Sequence, residues 1–282
     1  MFPTLSIPDF SIETCRAMAV AANEAYWPQV QAATAAHAAA ADSFEWIECP
    51  ETDTQCFIAR KVGADGAMNT VLAFRGSASV RDWISDMEIR RRSWCGVSVH
   101  RGFADCLDSV WSRIEGALSG HPGQNLWITG HSLGGALAVL AARAALTVGF
   151  PPTAVYTFGQ PRVGSGEFVA AYDLFLRSRT FRLVNAQDIV PRLPGFLAGY
   201  RHCGTEIFLD AFGGAQVNPP LARKVWSDLV GIYHAWLAKR ARYVPTEFIS
   251  DHFMGGYAER LNVAGRITHN AWPPSACTRR GQ

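Results

Sequence analysis

The sequence lacks the features that would take the chain into a membrane or onto a nucleic acid. It contains no uninterrupted run of about 18 apolar residues, so no transmembrane helix is expected. The 282 residues carry 26 basic and 24 acidic side chains, which gives a formal net charge of +2. The longest basic run is Arg90-Arg91-Arg92. This nearly balanced charge gives no reason to expect a nucleic-acid partner.

The chain also shows no signal peptide and no complete set of disulfide partners. Its first residues carry no basic charge, and the early apolar stretch 17–22 is too short for a signal. We therefore expect a cytoplasmic protein or the mature form of a secreted one. The seven cysteines are odd in number and lack C-x-x-C spacing, which argues against a zinc site. Cys49 and Cys56 flank a polar turn and could pair across a hairpin.

The composition is that of a globular α/β protein. With 49% hydrophobic and 18% charged residues, the chain can bury a large core, and we expect one domain over 1–282. The alanine-rich stretch 11–41 predicts a helical layer that is broken or bent at Pro28. Beyond it, short apolar runs alternate with helical stretches, which predicts a mostly parallel sheet with helices on both faces. The predicted strands are 56–61, 71–74, 126–129, 155–158 and 181–184, and the predicted helices are 102–118, 133–147 and 166–177.

Gly130–Gly134 has the pattern G-x-S-x-G, with Ser132 at its centre. Where a strand turns sharply into a helix, this pattern exposes the serine hydroxyl, and side chains at the two glycine positions would collide. So short a pattern can arise by chance, and its neighbours decide its meaning. The apolar run 126–129 precedes it and the helical stretch 135–142 follows it. Ser132 is therefore the candidate nucleophile.

A serine hydroxyl needs a histidine as base and an acid that orients the histidine. In α/β-hydrolases the acid follows a later strand, and the histidine comes last. Asp188 stands directly after the predicted strand 181–184, which makes it the best-placed acid. The histidines that follow are His202, His234, His252 and His269. His269 lies near the tail, and His234 lies in an apolar helical run. His202 and His252 remain as candidates for the base, and chemistry alone does not separate them.

Several segments together resemble the class 3 lipase family. They are 71–77, 99–103, 130–135, 156–164, 185–191, 202–206 and 252–257. The resemblance covers about 56–260 and implies an α/β-hydrolase fold in which a Ser132, Asp188 and His252 triad cleaves esters of acyl glycerides or related lipids. It places His202 in a structural strand, which leaves His252 as the base. No metal and no organic cofactor are expected.

The resemblance also implies two accessory features of the site. The first is an oxyanion hole, formed by the backbone N–H groups of Ser77 and Leu133 with help from the Ser77 hydroxyl. The second is a short lid helix within 79–92, in which Asp86 holds the Ser77 hydroxyl. On this lid, Trp83, Ile84 and Met87 fall on one helical face. Such a face fits a lid that opens at a lipid–water interface, and it also fits a plain helix packed on the core.

The segment 207–250 departs from a minimal member of the family. It includes a predicted helix over 221–242, whose broad apolar side could contact a membrane, line the acyl pocket or pack in the core.

The same triad could also act on phospholipid acyl chains or on feruloyl esters. A protein of a different class, a catalytically silent binding protein, would keep the same fold. The sequence leaves the oligomeric state open.

Overall fold

A computed structural model describes residues 10–79, 84, 89–185, 188–209, 215–218, 233 and 252–263. Its helices are α1 (Ile12–Glu24), α2 (Gln29–Ala38), α3 (Arg101–Ser119), α4 (Leu133–Thr147), α5 (Gly166–Leu176) and α6 (Met254–Val263). Its strands are β1 (Ser43–Cys49), β2 (Thr54–Val62), β3 (Met68–Phe74), β4 (Arg91–Trp94), β5 (Val97–His100), β6 (Asn125–His131), β7 (Ala154–Phe158), β8 (Thr180–Asn185), β9 (Thr205–Leu209) and β10 (Ala215–Val217).

Eight of these strands form one sheet in the order β1-β2-β3-β6-β7-β8-β9-β10. The five strands from β3 to β9 are parallel, whereas β1 and β2 at one edge and β10 at the other are antiparallel to their neighbours. β4 and β5 form a separate antiparallel pair. Because parallel strands end at the same edge of a sheet, the loops after β3, β6, β7 and β8 meet there.

Hydrophobic cores lie on both faces of the sheet. Successive residues of a strand point to opposite faces, and β3 shows this directly. Leu72 of β3 packs in the core that α3, α4 and α5 cover, whereas Val71 and Ala73 pack in the core beneath α1, α2 and α6. The predicted mostly parallel sheet with helices on both faces is thereby confirmed.

The first and last described helices pack against each other. Arg16 of α1 donates a hydrogen bond to the Leu261 carbonyl oxygen in α6 at 2.8 Å, although 245 residues separate them in the chain. Tyr257 and Leu261 of α6 are buried in the same core as Met18 of α1. The N-terminal helices therefore support the segment that begins at His252, rather than forming an independent layer.

Parts of the prediction were wrong in detail. The helical layer 11–41 is not among these parts: it is broken at Pro28, as one of the two predicted forms, and Pro28 caps the start of α2. Sequence patterns missed β1, where Ile47 is the one fully buried residue of seven, and also the short strands β4, β5 and β10. β4 begins at Arg91, inside the predicted lid segment 79–92.

The proposed pairing of Cys49 with Cys56 was also wrong. Cys49 lies opposite Thr54 and Cys56 lies opposite Ile47, so the two cysteines are not partners in the β1–β2 register. Both carry free thiols.

Of the predicted helix 221–242, only Tyr233 lies within the described residues, and it is exposed. None of the helices in the described ranges is long and apolar enough to cross a membrane.

Glu24, the last residue of α1, should make the folded state sensitive to pH. Its side chain is buried, and burial raises the pKa of its carboxyl from 4.5 to about 7. Between these values the unfolded chain loses the proton while the folded chain keeps it, so stability falls as pH rises through this window and stays lower above it. Glu24→Gln should therefore raise Tm by several degrees at pH 8 and by little at pH 4.5.

Thermal unfolding at both pH values measures this effect. Glu259→Gln, at an exposed position of α6, serves as the control and should change Tm similarly at both. An equal gain from Glu24→Gln at the two pH values would contradict the assignment.

Candidate active site

The candidate nucleophile Ser132 lies in a strained turn between β6 and α4. Its backbone has φ 57° and ψ −127°, a combination that is essentially restricted to glycine. A Cβ atom at Gly130 would collide with the backbone of Gly134, and one at Gly134 would collide with the carbonyl oxygen of Phe74. The two glycines of the motif are thus needed for the close packing of β6, α4 and the end of β3.

The candidate acid Asp188 lies just beyond β8 and is fully buried. The backbone N–H of Val190 donates to its Oδ1 at 2.9 Å, and the Tyr257 hydroxyl donates to its Oδ2 at 2.7 Å. Tyr257 in turn accepts a hydrogen bond from the Asn185 backbone N–H. The carboxylate is therefore fixed by groups from both sides of the acid loop and from α6.

His252 stands beside Asp188, with its Nδ1 2.9 Å from both carboxylate oxygens. A carboxylate accepts hydrogen bonds, so the proton of a neutral imidazole lies on Nδ1 and its Nε2 is left with a lone pair. His252 Nε2 and Ser132 Oγ are both buried, and neither has a hydrogen-bond partner among the described residues. Both atoms are thus available to a reacting group.

Residues 158–159, at the end of β7, contact all three candidate residues. The Ser132 backbone N–H donates to the Phe158 carbonyl oxygen at 2.9 Å. Gly159 has φ +58°, and a Cβ atom there would lie 2.8 Å from Asp188 Oδ2 and 2.9 Å from His252 Nδ1. The absence of a side chain at Gly159 is what lets the acid and the base meet. Sequence reasoning missed this residue, although a glycine directly after a buried strand is a signal for close approach.

The turn that carries the candidate oxyanion hole packs against Ser132. A Cβ atom at Gly76 would lie 2.6 Å from the His131 carbonyl oxygen and 3.1 Å from Ser132 Cβ, so the turn before Ser77 packs against the nucleophile. Leu133 is the first residue of α4, where backbone N–H groups have no partner within the helix. Donors and the helix dipole at this point favour negative charge near Ser132.

The two histidines that the residues alone could not separate have different partners in the structure. His202 Nε2 lies 2.6 Å from the Pro191 carbonyl oxygen, whereas His252 contacts Asp188.

Of the predicted lid residues, Ile84 is buried, and Trp83, Asp86 and Met87 lie outside the described residues. No cluster of side chains suited to a metal ion occurs within the described part of the chain.

Comparison with known proteins agrees with this geometry. The family model for lipase (class 3) matches residues 71–198, which include the end of β3, the turn at Ser77, the Ser132 elbow and Asp188. Over these residues the chain is similar to the class 3 lipase family. The sheet, its flanking helices and the strained serine turn are those of the α/β-hydrolase fold, as predicted.

Members of the class 3 lipase family similar to this chain include lipases and phospholipases. A secreted mono- and diacylglycerol lipase 1 of Fusarium solani is 36% identical over 165 residues, 56% of this chain and 49% of that protein. Phospholipase A1-II 1 of Oryza sativa subsp. indica is 27% identical over an alignment that spans 60% of this chain and 50% of that protein. The chain thus spans about half the length of these relatives.

A solved structure of a triacylglycerol lipase, whose catalytic centre is a serine protease triad, is also similar. Its TM-score is 0.60 with 27% sequence identity, over 71% of this chain and 82% of that one. This likeness extends well beyond residues 71–198, and it supports the same α/β-hydrolase fold for most of the chain.

Gly159→Ala should separate Asp188 from His252 without removing either. The added methyl group would sit within 2.9 Å of both, so the pair must move apart. A displacement of about 1 Å can cost roughly a hundredfold in rate, and we expect a loss of that order in the labelling rate of Ser132 by a fluorophosphonate. Gly66→Ala is the matched control, because Gly66 has φ +78° and nothing within 4 Å. Equal labelling of the two variants would show that the close approach at Gly159 is unimportant.

Proposed function

We propose that this protein hydrolyses carboxylic esters of acyl glycerides or related lipids. Ser132 is the nucleophile, His252 the general base, and Asp188 the residue that orients the base. The observation that carries this proposal is the buried His252–Asp188 pair, at 2.9 Å, beside a serine held at φ 57°. His252 Nε2 has no partner among the described residues, which leaves its lone pair available to accept a proton.

The reaction begins with attack of Ser132 Oγ on the ester carbonyl carbon. His252 Nε2 accepts the hydroxyl proton, and the buried carboxylate of Asp188 stabilises the imidazolium that forms. The carbonyl oxygen becomes negatively charged, and the N–H groups of Ser77 and Leu133 receive it, with the Ser77 hydroxyl as a third donor. Donors of this kind contribute about 3–4 kcal/mol each to transition-state stabilisation.

Collapse of this intermediate releases the alcohol and leaves an acyl group on Ser132. His252 gives its proton to the leaving alcohol oxygen and then takes a proton from a water molecule that attacks the acyl carbonyl. A second tetrahedral intermediate releases the fatty acid and restores the Ser132 hydroxyl. This cycle requires neither a metal nor an organic cofactor.

The burial of the site supports a movable cover. Ser132 and His252 are both 0% exposed, so an ester cannot reach them unless a covering segment moves. We assign this role to the lid segment 79–92, with Trp83, Ile84 and Met87 as its apolar face and Asp86 as the partner of the Ser77 hydroxyl. Opening at a lipid–water interface would then expose the apolar face to lipid.

A second candidate function keeps the triad and changes the substrate. The similarity to a rice phospholipase A1 favours phospholipid acyl esters, and feruloyl esters remain in the same chemical class. Nitrophenyl esters of increasing chain length, glycerides, phospholipid vesicles and a feruloyl ester, each with and without detergent, separate these substrates. Highest turnover on glycerides supports the first proposal, and highest turnover on phospholipid vesicles supports the second.

The similarity to a secreted Fusarium lipase also suggests export. The six cysteines in the described part of the chain are all free thiols, so that part would rely on no disulfide in an oxidising compartment. Fractionation of the source culture, followed by detection with an antibody, tests the compartment directly.

Ser132→Ala should abolish ester turnover and leave Tm nearly unchanged. The Ser132 hydroxyl is buried without a hydrogen-bond partner among the described residues, so its removal breaks no stabilising contact. Ser132→Gly should be equally inactive but more stable, because glycine accepts the backbone conformation at this position. Turnover of short nitrophenyl esters and thermal unfolding measure both effects. Substantial residual turnover in Ser132→Ala would remove Ser132 as the nucleophile and favour another catalytic site, whereas no turnover by the wild type would favour a binding protein.

His252→Ala and His202→Ala should have opposite consequences. The first removes the base and should lower kcat by several orders of magnitude with a folded protein. The second breaks the contact of His202 Nε2 with the Pro191 carbonyl and should lower Tm by several degrees while most of kcat remains. An inactive, well-folded His202→Ala beside an active His252→Ala would reverse the assignment.

A further inference from the structure

The histidine that precedes the nucleophile is buried between the candidate base and a tyrosine from the N-terminal region. His131 is 2% exposed. Its Nε2 lies 2.6 Å from the backbone carbonyl oxygen of His252, and its Nδ1 lies 2.7 Å from the hydroxyl of Tyr26. The ring centres of His131 and His252 are 4.4 Å apart. The imidazole of His131 thus uses both nitrogens and bridges two distant parts of the chain.

These contacts determine where the protons lie. A carbonyl oxygen only accepts, so His131 Nε2 carries the hydrogen and donates it to His252. Burial lowers the pKa of His131 well below 6.5, and the neighbouring His252 lowers it further, so the ring is neutral. Nδ1 of a neutral ring with its proton on Nε2 is an acceptor, and the Tyr26 hydroxyl donates to it. Burial also raises the pKa of the Tyr26 phenol, which therefore keeps its proton.

Tyr26 also packs against the candidate oxyanion turn. A Cβ atom at Gly76 would collide with the Tyr26 hydroxyl oxygen, so this hydroxyl lies directly against the turn before Ser77. One directional path of hydrogen bonds therefore runs from the Tyr26 hydroxyl through His131 to the His252 carbonyl oxygen. It begins at the turn before Ser77 and ends at the candidate base.

His252 needs such a support because it lies in a turn before α6 and outside any regular element. Asp188 holds its side chain through Nδ1, and this contact alone leaves the main chain free to shift. The second contact, from His131 to the carbonyl oxygen, fixes the main chain of the same residue. Two anchors at opposite ends of one residue define where Nε2 points.

We propose that His131 is a positioning residue that, oriented by Tyr26, holds the main chain of His252 so that its Nε2 faces Ser132. The neutral state of His131 matters as well, because a second positive charge 4.4 Å away would oppose formation of the His252 imidazolium. This role rests on the proposed function, in which His252 is the base.

Graded variants of the path test the proposal by kinetics. His131→Phe keeps a planar ring and removes both hydrogen bonds, and it should lower kcat on a short nitrophenyl ester by about a hundredfold with little change in KM. Tyr26→Phe should lower kcat by about tenfold. His131→Gln should recover most of the activity that His131→Phe loses, because its amide N–H can still donate to the His252 carbonyl oxygen.

Tyr172→Phe is the control for loss of a buried phenol. The Tyr172 hydroxyl bonds Thr180 Oγ1 at 2.8 Å, away from the site, so this variant should lose stability comparable to Tyr26→Phe and keep wild-type kcat. Wild-type kcat in His131→Phe, or no difference between His131→Gln and His131→Phe, would overturn the proposal.

Nitrogen NMR of the ¹⁵N-histidine-labelled protein gives a readout that does not depend on turnover. His131 should be neutral with its proton on Nε2 from pH 5 to pH 8, and Tyr26→Phe should disturb this tautomer. A proton on Nδ1, or a charged ring in this range, would overturn the proposal. Failure of the proposed function looks different, since the wild type and Tyr172→Phe would then turn over no ester whatever the tautomer of His131.

Discussion

The backbone of Ser132 imposes the constraint on which the rest of the site depends. A non-glycine residue at φ 57° and ψ −127° costs of order 1–3 kcal/mol and persists only where its surroundings enforce it. Here β6 enters the turn within the sheet, α4 leaves it at once, and the Ser132 N–H is bound by the Phe158 carbonyl oxygen. This close packing requires glycine at positions 130 and 134, where a side chain would collide with the backbone. Every other group of the site then approaches a serine whose position is already fixed.

The parts of this arrangement that are local in the chain could be predicted from the sequence. The strand, the turn with Ser132 and the helix α4 are consecutive, and the predicted helix 133–147 matches the observed one. Asp188 follows β8 directly, so chain order and the edge of a parallel sheet were enough to select it. The same local reasoning missed β1, because a strand at the edge of the sheet with one fully buried residue carries little hydrophobic signal.

The base shows where local reasoning ends. His252 and Asp188 are 64 residues apart, and nothing in the composition around His202 or His252 reveals which of them reaches the acid. Family resemblance separated them before any geometry was known. The contacts of Tyr26 and His131 were missed for the same reason, since each acts through a neighbour that only the folded sheet brings near. Long-range contacts of buried polar groups are the information that a single sequence does not display.

The contact between Arg16 of α1 and Leu261 of α6 has a consequence for synthesis of the chain. The first helix leaves the ribosome early, and most of the sheet can form behind it as β1 to β9 emerge in order. The helix that follows His252 emerges almost 250 residues after Arg16, and until then Arg16 lacks its contact with Leu261. Ser132 and Asp188 can therefore be in place on a nascent chain that still lacks His252. On such a chain the three candidate residues come together only after the segment 252–263 has been made.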